Sequence, residues 1–291
     1  MIAAGFLMVR TQWLRRDFWE GAEKLVYFVL LPALLIAAIT RSDLSSGETG
    51  VVVQITLLSM VIAAGLGILT RWIPGVSRSD WASGIQCAFR FNAYIGFAVA
   101  SRAAGSEGLA ITAVLLSLSV PLANFLAVFF LADSFHPIRL LKELSRNPLI
   151  IATVIGLALN LLGATPPDLI YTILDRASSA SLALGLLCVG AGLNFSGITS
   201  RTSRNQSIAV TSIKLVALPM VTWLLCWSLD ISGTKRDIAV LFASLPTATS
   251  AYILAARMGG NGPLAAGMVS ISTLASMGTI TVWYALLRAF P

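Results

Sequence analysis

Two short polar segments interrupt long apolar runs, and they carry the side chains best suited to bind a small ligand. The first segment spans Arg90–Gly96 and the second spans Ser244–Ser250. Arg90 supplies a fixed positive charge with several N–H donors, and Asn92 supplies an amide. A guanidinium, an amide and several hydroxyls together form a set of donors suited to a carboxylate or another anion. These residue types favour binding over covalent chemistry, and no enzyme activity is predicted.

The second segment contains a helix breaker. Pro246 lacks an N–H group and its ring clashes with the preceding turn, so the helix is expected to break there. Thr247, Thr249 and Ser250 place three hydroxyls beside the break. The backbone groups that the break exposes must be buried in protein or line a wet cavity. A proline kink satisfied by its neighbouring hydroxyls is the alternative interpretation.

Arg90 is predicted to lie near the middle of the bilayer. It follows Asp80, at the start of its apolar run, by ten residues, or roughly 15 Å of helix. A charge at that depth costs at least ~2.5 kcal/mol, which makes it a candidate functional residue. The alternative is an arginine that snorkels or pairs with backbone carbonyls. Lys214 is the other cation within a run. Two interpretations of Lys214 stay open: its long stem reaches the membrane interface, or it has a functional role.

The predicted substrate site combines the polar residues of both breaks. Two half-helices that begin near Gly96 and Ser250 would direct their positive N-terminal ends at one central space. The predicted substrate-binding residues are Arg90, Asn92, Tyr94, Gly96, Pro246, Thr247, Thr249 and Ser250.

Composition places the chain in lipid. Hydrophobic residues make up 57% of the 291 residues and charged residues 11%, against about 25% charged in soluble domains. The net charge of +7 does not indicate nucleic acid, because the basic residues lie in short segments between apolar runs. The three cysteines lack CxxC spacing and His136 is a lone loop histidine, so no metal or other cofactor is predicted.

The apolar runs predict an all-α membrane protein with about ten transmembrane helices. They are Met1–Val9, Ala22–Ile39, Gly50–Leu69, Trp81–Ala104, Gly108–Ala132, Pro148–Gly163, Ala177–Phe195, Ser207–Leu229, Ile238–Met258 and Leu264–Ala289. The first run is too short to span a bilayer, which needs about 20 residues. We therefore expect about ten further apolar residues before Met1.

Lysine and arginine predict the orientation. Alternate loops carry twelve basic residues on one side and six on the other. By the positive-inside rule the richer side is cytoplasmic, which places both termini on the outer side of an inner (plasma) membrane. The richer set is Arg10, Arg15, Arg16, Lys24, Arg71, Arg78, Arg139, Lys142, Arg146, Arg201, Arg204 and Arg257.

The two breaks suggest an internal duplication within one transmembrane domain, 1–291. They lie about 155 residues apart, in the fourth and ninth runs. Residues 1–132 are the predicted first repeat and residues 147–291 the second. With five spans in each half the repeats are inverted, and paired broken helices in inverted repeats indicate a transporter site near the midplane.

The chain resembles the auxin efflux carrier family, and within it the bacterial malonate-transporter-like members. The segments that carry the resemblance are Glu23–Leu34, Arg90–Gly96, Arg146–Ile150, Lys214-Leu215 with Pro219, and Leu245–Ala255 followed by Met258–Gly260. The resemblance implies ten spans in two inverted repeats, a crossover of broken helices four and nine, and two domains that move in alternating access. It also implies small carboxylates or auxin-like acids as substrates. Phe97 follows Gly96 where many relatives carry a proline, so a softer break is expected in the fourth span.

The sequence is therefore expected to encode a secondary transporter of small organic anions that works within a lipid bilayer. A sodium-coupled carrier of the bile-acid type and a non-transporting membrane sensor remain alternatives. Coupling to protons or sodium ions stays open, as does assembly into a homodimer. An intramembrane carboxylate, which a cation/proton antiporter needs as its relay, is absent from the middle of every predicted span.

Overall fold

A computed structural model describes residues 1–41, 47–131, 147–164 and 166–290. Within these ranges the chain is helical and contains no β-strand, which agrees with the predicted all-α class. His136 lies outside the described residues, as do three basic residues of the predicted cytoplasmic side, Arg139, Lys142 and Arg146.

Thirteen α-helices follow one another along the described ranges. They are α1 (Ile2–Arg10), α2 (Arg16–Leu25), α3 (Leu31–Thr40), α4 (Gly47–Ile68), α5 (Arg78–Ile85), α6 (Ala93–Leu131), α7 (Pro148–Leu161), α8 (Asp168–Ala191), α9 (Arg201–Ser212), α10 (Leu218–Ser228), α11 (Gly233–Ala243), α12 (Ser250–Arg257) and α13 (Gly262–Ala289). Short π-helical segments, Val26–Leu30 and Ile213–Ala217, join α2 to α3 and α9 to α10. Each precedes a proline near the start of the next helix, where the missing N–H disturbs the regular hydrogen-bond ladder.

Six helical stretches in the described ranges are long and apolar enough to cross a membrane. They are Asp17–Thr40, Glu48–Trp72, Arg78–Leu131, Asp168–Ala191, Arg201–Ser228 and Gly262–Ala289. The stretch Arg78–Leu131 has 54 residues, and its backbone leaves helical geometry at Ala104 and Gly105, where Gly105 has a φ of +55°. The protein therefore passes through the membrane several times, and the total of ten spans stays a prediction.

One compact unit takes its described residues from the stretches Met1–Ser45, Phe97–Ser117 and His136–Gly192. Its helices α1 and α8 approach through glycine: a Cβ at Gly5 would collide with the Leu187 backbone, and one at Gly190 with the Ile2 backbone. Two helices in lipid gain no hydrophobic free energy by associating, so their attraction depends on van der Waals contact. Small residues such as these glycines allow the helix backbones to come close enough for that contact.

The other compact unit takes its described residues from the stretches Ser46–Gly96, Leu118–Phe135 and Leu193–Pro291. Both predicted breaks lie in it. Part of its core is a cluster of buried small and apolar side chains that includes Ala88, Ala251 and Met268. Each of the two units combines segments from both halves of the chain, while the boundaries of the predicted repeats stay a prediction.

Candidate functional site

The break in the fourth span begins one residue before the predicted segment. Helix α5 ends in a 3₁₀ turn at Gln86–Ala88, and α6 begins at Ala93. The half-helix therefore starts three residues before the predicted position near Gly96. The reason is a cap: the Asn92 side-chain oxygen accepts hydrogen bonds from the N–H groups of Tyr94 and Ile95, at 3.1 and 3.3 Å.

The break in the ninth span agrees closely with its prediction. Helix α11 ends at Ala243, and α12 begins at Ser250, where the second half-helix was expected. The non-helical backbone between them contains Pro246, which lacks an N–H group and whose ring clashes with the preceding turn of a helix.

The two breaks lie against each other and share hydrogen bonds. The Asn92 N–H donates to the Pro246 carbonyl at 2.9 Å. The Thr247 hydroxyl donates to the Cys87 carbonyl at 2.7 Å, and the Thr247 N–H donates to the Ser272 hydroxyl at 3.2 Å. Each break thus satisfies backbone groups that the other exposes, as burial away from water requires.

Arg90 lies at this crossing and is 8% exposed. Its Nη2 donates to the Asn124 side-chain oxygen at 3.0 Å and to the Ser250 hydroxyl at 3.1 Å. These two side chains are neutral, and they come from α6 and from the first residue of α12. The guanidinium therefore contacts polar side chains inside the unit and does not snorkel to a membrane surface.

The eight predicted site residues divide into three groups. In the first, Arg90 donates a hydrogen bond to Ser250, and both stay predicted ligand-binding residues. The second group builds the crossing: Asn92 and Thr247 are 2% and 1% exposed, and their hydrogen bonds brace the backbone, as does the Pro246 carbonyl. The remaining three are helix-end residues, with Tyr94 and Gly96 in the first turn of α6 and Thr249 preceding α12.

Gln86 was missed by the sequence prediction. Its side chain is completely buried, and neither amide atom has a hydrogen-bond partner among the described residues. A buried amide without partners is costly, so it marks a place for water or ligand. Its signal was its spacing: it is a glutamine four residues before Arg90 in the run Trp81–Ala104.

Lys214 does not reach a membrane interface. It is 1% exposed, and its Nζ donates to the Ala243 carbonyl at 2.8 Å. Of the two interpretations left open for Lys214, the snorkelling one is wrong, because the stem points into the protein and ends at the last residue of α11.

Comparison with known proteins gives relatives along nearly the whole chain. An uncharacterized transporter of Methanothermobacter thermautotrophicus is 25% identical over 288 residues, covering 97% of this chain and 94% of that protein. A protein of Rhizobium meliloti named "Putative malonate transporter" is 24% identical over 283 residues, covering 91% and 85%. The uncharacterized transporter YfdV of Escherichia coli is 24% identical over 299 residues, covering 96% and 92%.

Residues 133–284, more than half of the chain, match the family described as membrane transport protein. The match includes the whole ninth-span break and the helices around it, and the relatives extend the similarity across the fourth-span break. This is the family that the auxin efflux carrier resemblance predicted. The chain belongs to the membrane transport protein family, the auxin efflux carriers.

Proposed function

We propose that this protein is a secondary active transporter of small organic anions that binds its substrate at the crossing of the two broken spans. The substrates we propose are mono- or dicarboxylates such as malonate, or auxin-like acids. The observation that carries the proposal is the placement of Arg90: a buried guanidinium at the crossing, hydrogen-bonded to the neutral side chains of Asn124 and Ser250.

The electrostatics of the crossing favour an anion. Ser250 is the first residue of α12, so Arg90 lies at the end of a half-helix that carries a partial positive charge. A cation and a helix N-terminus repel each other weakly, and a bound carboxylate would relieve that repulsion while accepting charge-assisted hydrogen bonds. The low dielectric around a buried site strengthens each of these interactions.

A thermal-shift series on purified protein tests the substrate class. We expect malonate and related carboxylates to raise the melting temperature saturably, because a ligand that binds only the folded state stabilises it. Malonamide is the matched control, since it has nearly the shape of malonate and no charge. Equal stabilisation by malonamide, or stabilisation by none of the carboxylates, would contradict the proposal.

Uptake of the stabilising carboxylate into proteoliposomes then tests transport itself. A transporter accumulates the labelled anion inside the vesicle, whereas a sensor binds it without flux. The name of the Rhizobium meliloti relative makes malonate the first compound to test.

Our proposal for the architecture is ten spans in two inverted repeats that move in alternating access, with both termini outside an inner (plasma) membrane. The two breaks in corresponding runs and the twelve-to-six basic bias support it. We expect a cysteine at Arg201 to react with an impermeant maleimide only from the cytoplasm, and one at Ser232 only from outside. Both positions are exposed, and labelling of both from one side would exclude this topology.

A further inference from the structure

Gln86 is a buried amide to which the proposed anion site gives no role. It lies in the 3₁₀ turn Gln86–Ala88, between α5 and the fourth-span break, and none of its surface is exposed. Within the described residues, neither its Oε1 nor its Nε2 has a hydrogen-bond partner. Because burying an amide without partners is costly, its free donor and acceptor mark a place for a bound polar group.

Other buried polar side chains beside this half-helix do have partners within the protein. The Ser83 hydroxyl accepts a hydrogen bond from the Asn261 N–H at 2.7 Å. Gln206 is a second completely buried glutamine, and its Nε2 donates to the Asp80 carbonyl at 2.9 Å. At Gln86, by contrast, both ends of the amide lack a partner among the described residues.

Gln86 and Arg90 lie one helical turn apart. The Arg90 N–H donates to the Gln86 carbonyl at 3.0 Å, which is the hydrogen bond between residues four apart in an α-helical turn. Side chains at this spacing are neighbours on one face, with Cβ atoms about 5–6 Å apart. A glutamine and an arginine so placed are long enough to hold the two ends of one small molecule.

The two side chains suit different chemical groups. A guanidinium donates charge-assisted hydrogen bonds to a carboxylate. An amide has an acceptor oxygen and two N–H donors, so it pairs best with an uncharged group that also donates and accepts. A carboxamide and a protonated carboxyl are such groups. A second ionised carboxylate carries no hydrogen to donate and would leave the Gln86 Oε1 unpaired.

We propose that Gln86 is a second substrate-binding residue, which selects carboxylates whose other end is an uncharged carboxyl or carboxamide group. For a dicarboxylic acid such as malonic acid, the bound species is then the singly charged form, with its carboxylate at Arg90 and its protonated carboxyl at Gln86. Because Gln86 is fully buried, substrate reaches it only when the crossing opens. The inference rests on the proposed function and adds the form of the substrate to it.

Two ligands of nearly the same shape test the role of Gln86. Malonamate carries a carboxylate and a carboxamide, and isovalerate has an isopropyl group in place of the carboxamide. Titration of purified wild-type protein should give a Kd about 30-fold lower for malonamate, the effect of two neutral hydrogen bonds. In Gln86→Met the two Kd values should become nearly equal, because methionine fills the same space without the amide. If Gln86→Met does not fold, Gln86→Leu provides the same comparison.

Thermal unfolding of the same preparations separates binding from a structural role. Gln86→Met should melt no lower than wild type, because it removes a buried amide that has no partner. Gln206→Met is the matched control: its amide has a partner, so the variant should melt lower and keep the wild-type preference for malonamate. Arg90→Gln should weaken both ligands by the same factor, because both present a carboxylate.

Equal affinity of wild type for the two ligands would overturn the inference, and this measurement needs no variant to fold. A Gln86→Met variant that keeps the wild-type preference would overturn it as well, and a lower melting temperature of that variant would then assign the amide a structural role. In both cases, binding of isovalerate leaves the proposed anion site intact. If neither ligand binds, the proposed function fails together with the inference.

Discussion

The two breaks differ in the partners of their helix ends. At the fourth span the Cys87 carbonyl accepts the neutral Thr247 hydroxyl, whereas at the ninth span the Ala243 carbonyl accepts the Lys214 ammonium. Arg90 contacts a helix N-terminus instead, because its partner Ser250 is the first residue of α12. A cation at a helix C-terminus is stabilised and one at an N-terminus is not. The fold itself therefore accounts for Lys214, whereas for Arg90 we propose that a bound anion supplies further stabilisation.

The largest expected effect comes from removing the positive charge of Arg90, which lies at the N-terminal end of α12. Arg90→Gln should weaken carboxylate binding by about 2–3 kcal/mol, the contribution of a hydrogen bond to a charged group, or roughly 30- to 140-fold in Kd. Its melting temperature without substrate should hold or rise, because the repulsion from the α12 N-terminus is lost. Ligand titration and thermal unfolding of the same preparation measure both.

Arg236→Gln is the matched control for that variant. Arg236 is also buried, but it donates to Asp237 and to the carbonyls of Leu287 and Phe290. Its loss leaves those acceptors unpaired, so stability should fall while binding per folded protein stays constant. If Arg90→Gln behaved like Arg236→Gln, the guanidinium at the crossing would be structural.

A smaller effect is expected from the cap at the fourth-span break. Asn92→Ala removes the oxygen that accepts from Tyr94 and Ile95 and should cost about 1 kcal/mol of stability, within the 0.5–2 kcal/mol range for N-caps. Asn92→Ser keeps a capping oxygen and should recover most of that loss. Chemical or thermal unfolding measures the pair, and equal stability of the two variants would show that the cap contributes nothing.

The smallest effect is expected at the neutral contact between the breaks. Thr247→Val keeps the side-chain shape but loses the hydrogen bond to the Cys87 carbonyl. This loss should lower the free energy of unfolding by about 1 kcal/mol or less. Thr247→Ser retains the hydroxyl and serves as the control. A loss of anion binding in Thr247→Val as large as that in Arg90→Gln would place the threonine in the ligand site and weaken the contrast between the two breaks.

The sequence by itself determined the class of the protein and the approximate positions of its two breaks. Long apolar runs require lipid, because water would not tolerate so much apolar surface. Pro246 lacks the N–H group that a continuing helix needs, and this predicted the break between α11 and α12. The start of α6 was misplaced because Asn92 was taken as a ligand, although an asparagine before a helical run is also a cap.

Only the tertiary structure decided which groups meet at the crossing. The contacts from Arg90 to Asn124 and to Ser250 join residues 34 and 160 positions apart, and Lys214 reaches a carbonyl 29 positions away. Hydropathy reports how deep a residue lies along its own span and carries no information about which neighbouring helix it faces. From the sequence alone, Lys214 could therefore be either a snorkelling side chain or a buried one. The tertiary structure decides for burial, because it places the carbonyl end of α11 beside the ammonium group. A buried charge needs a partner of this kind to stabilise it.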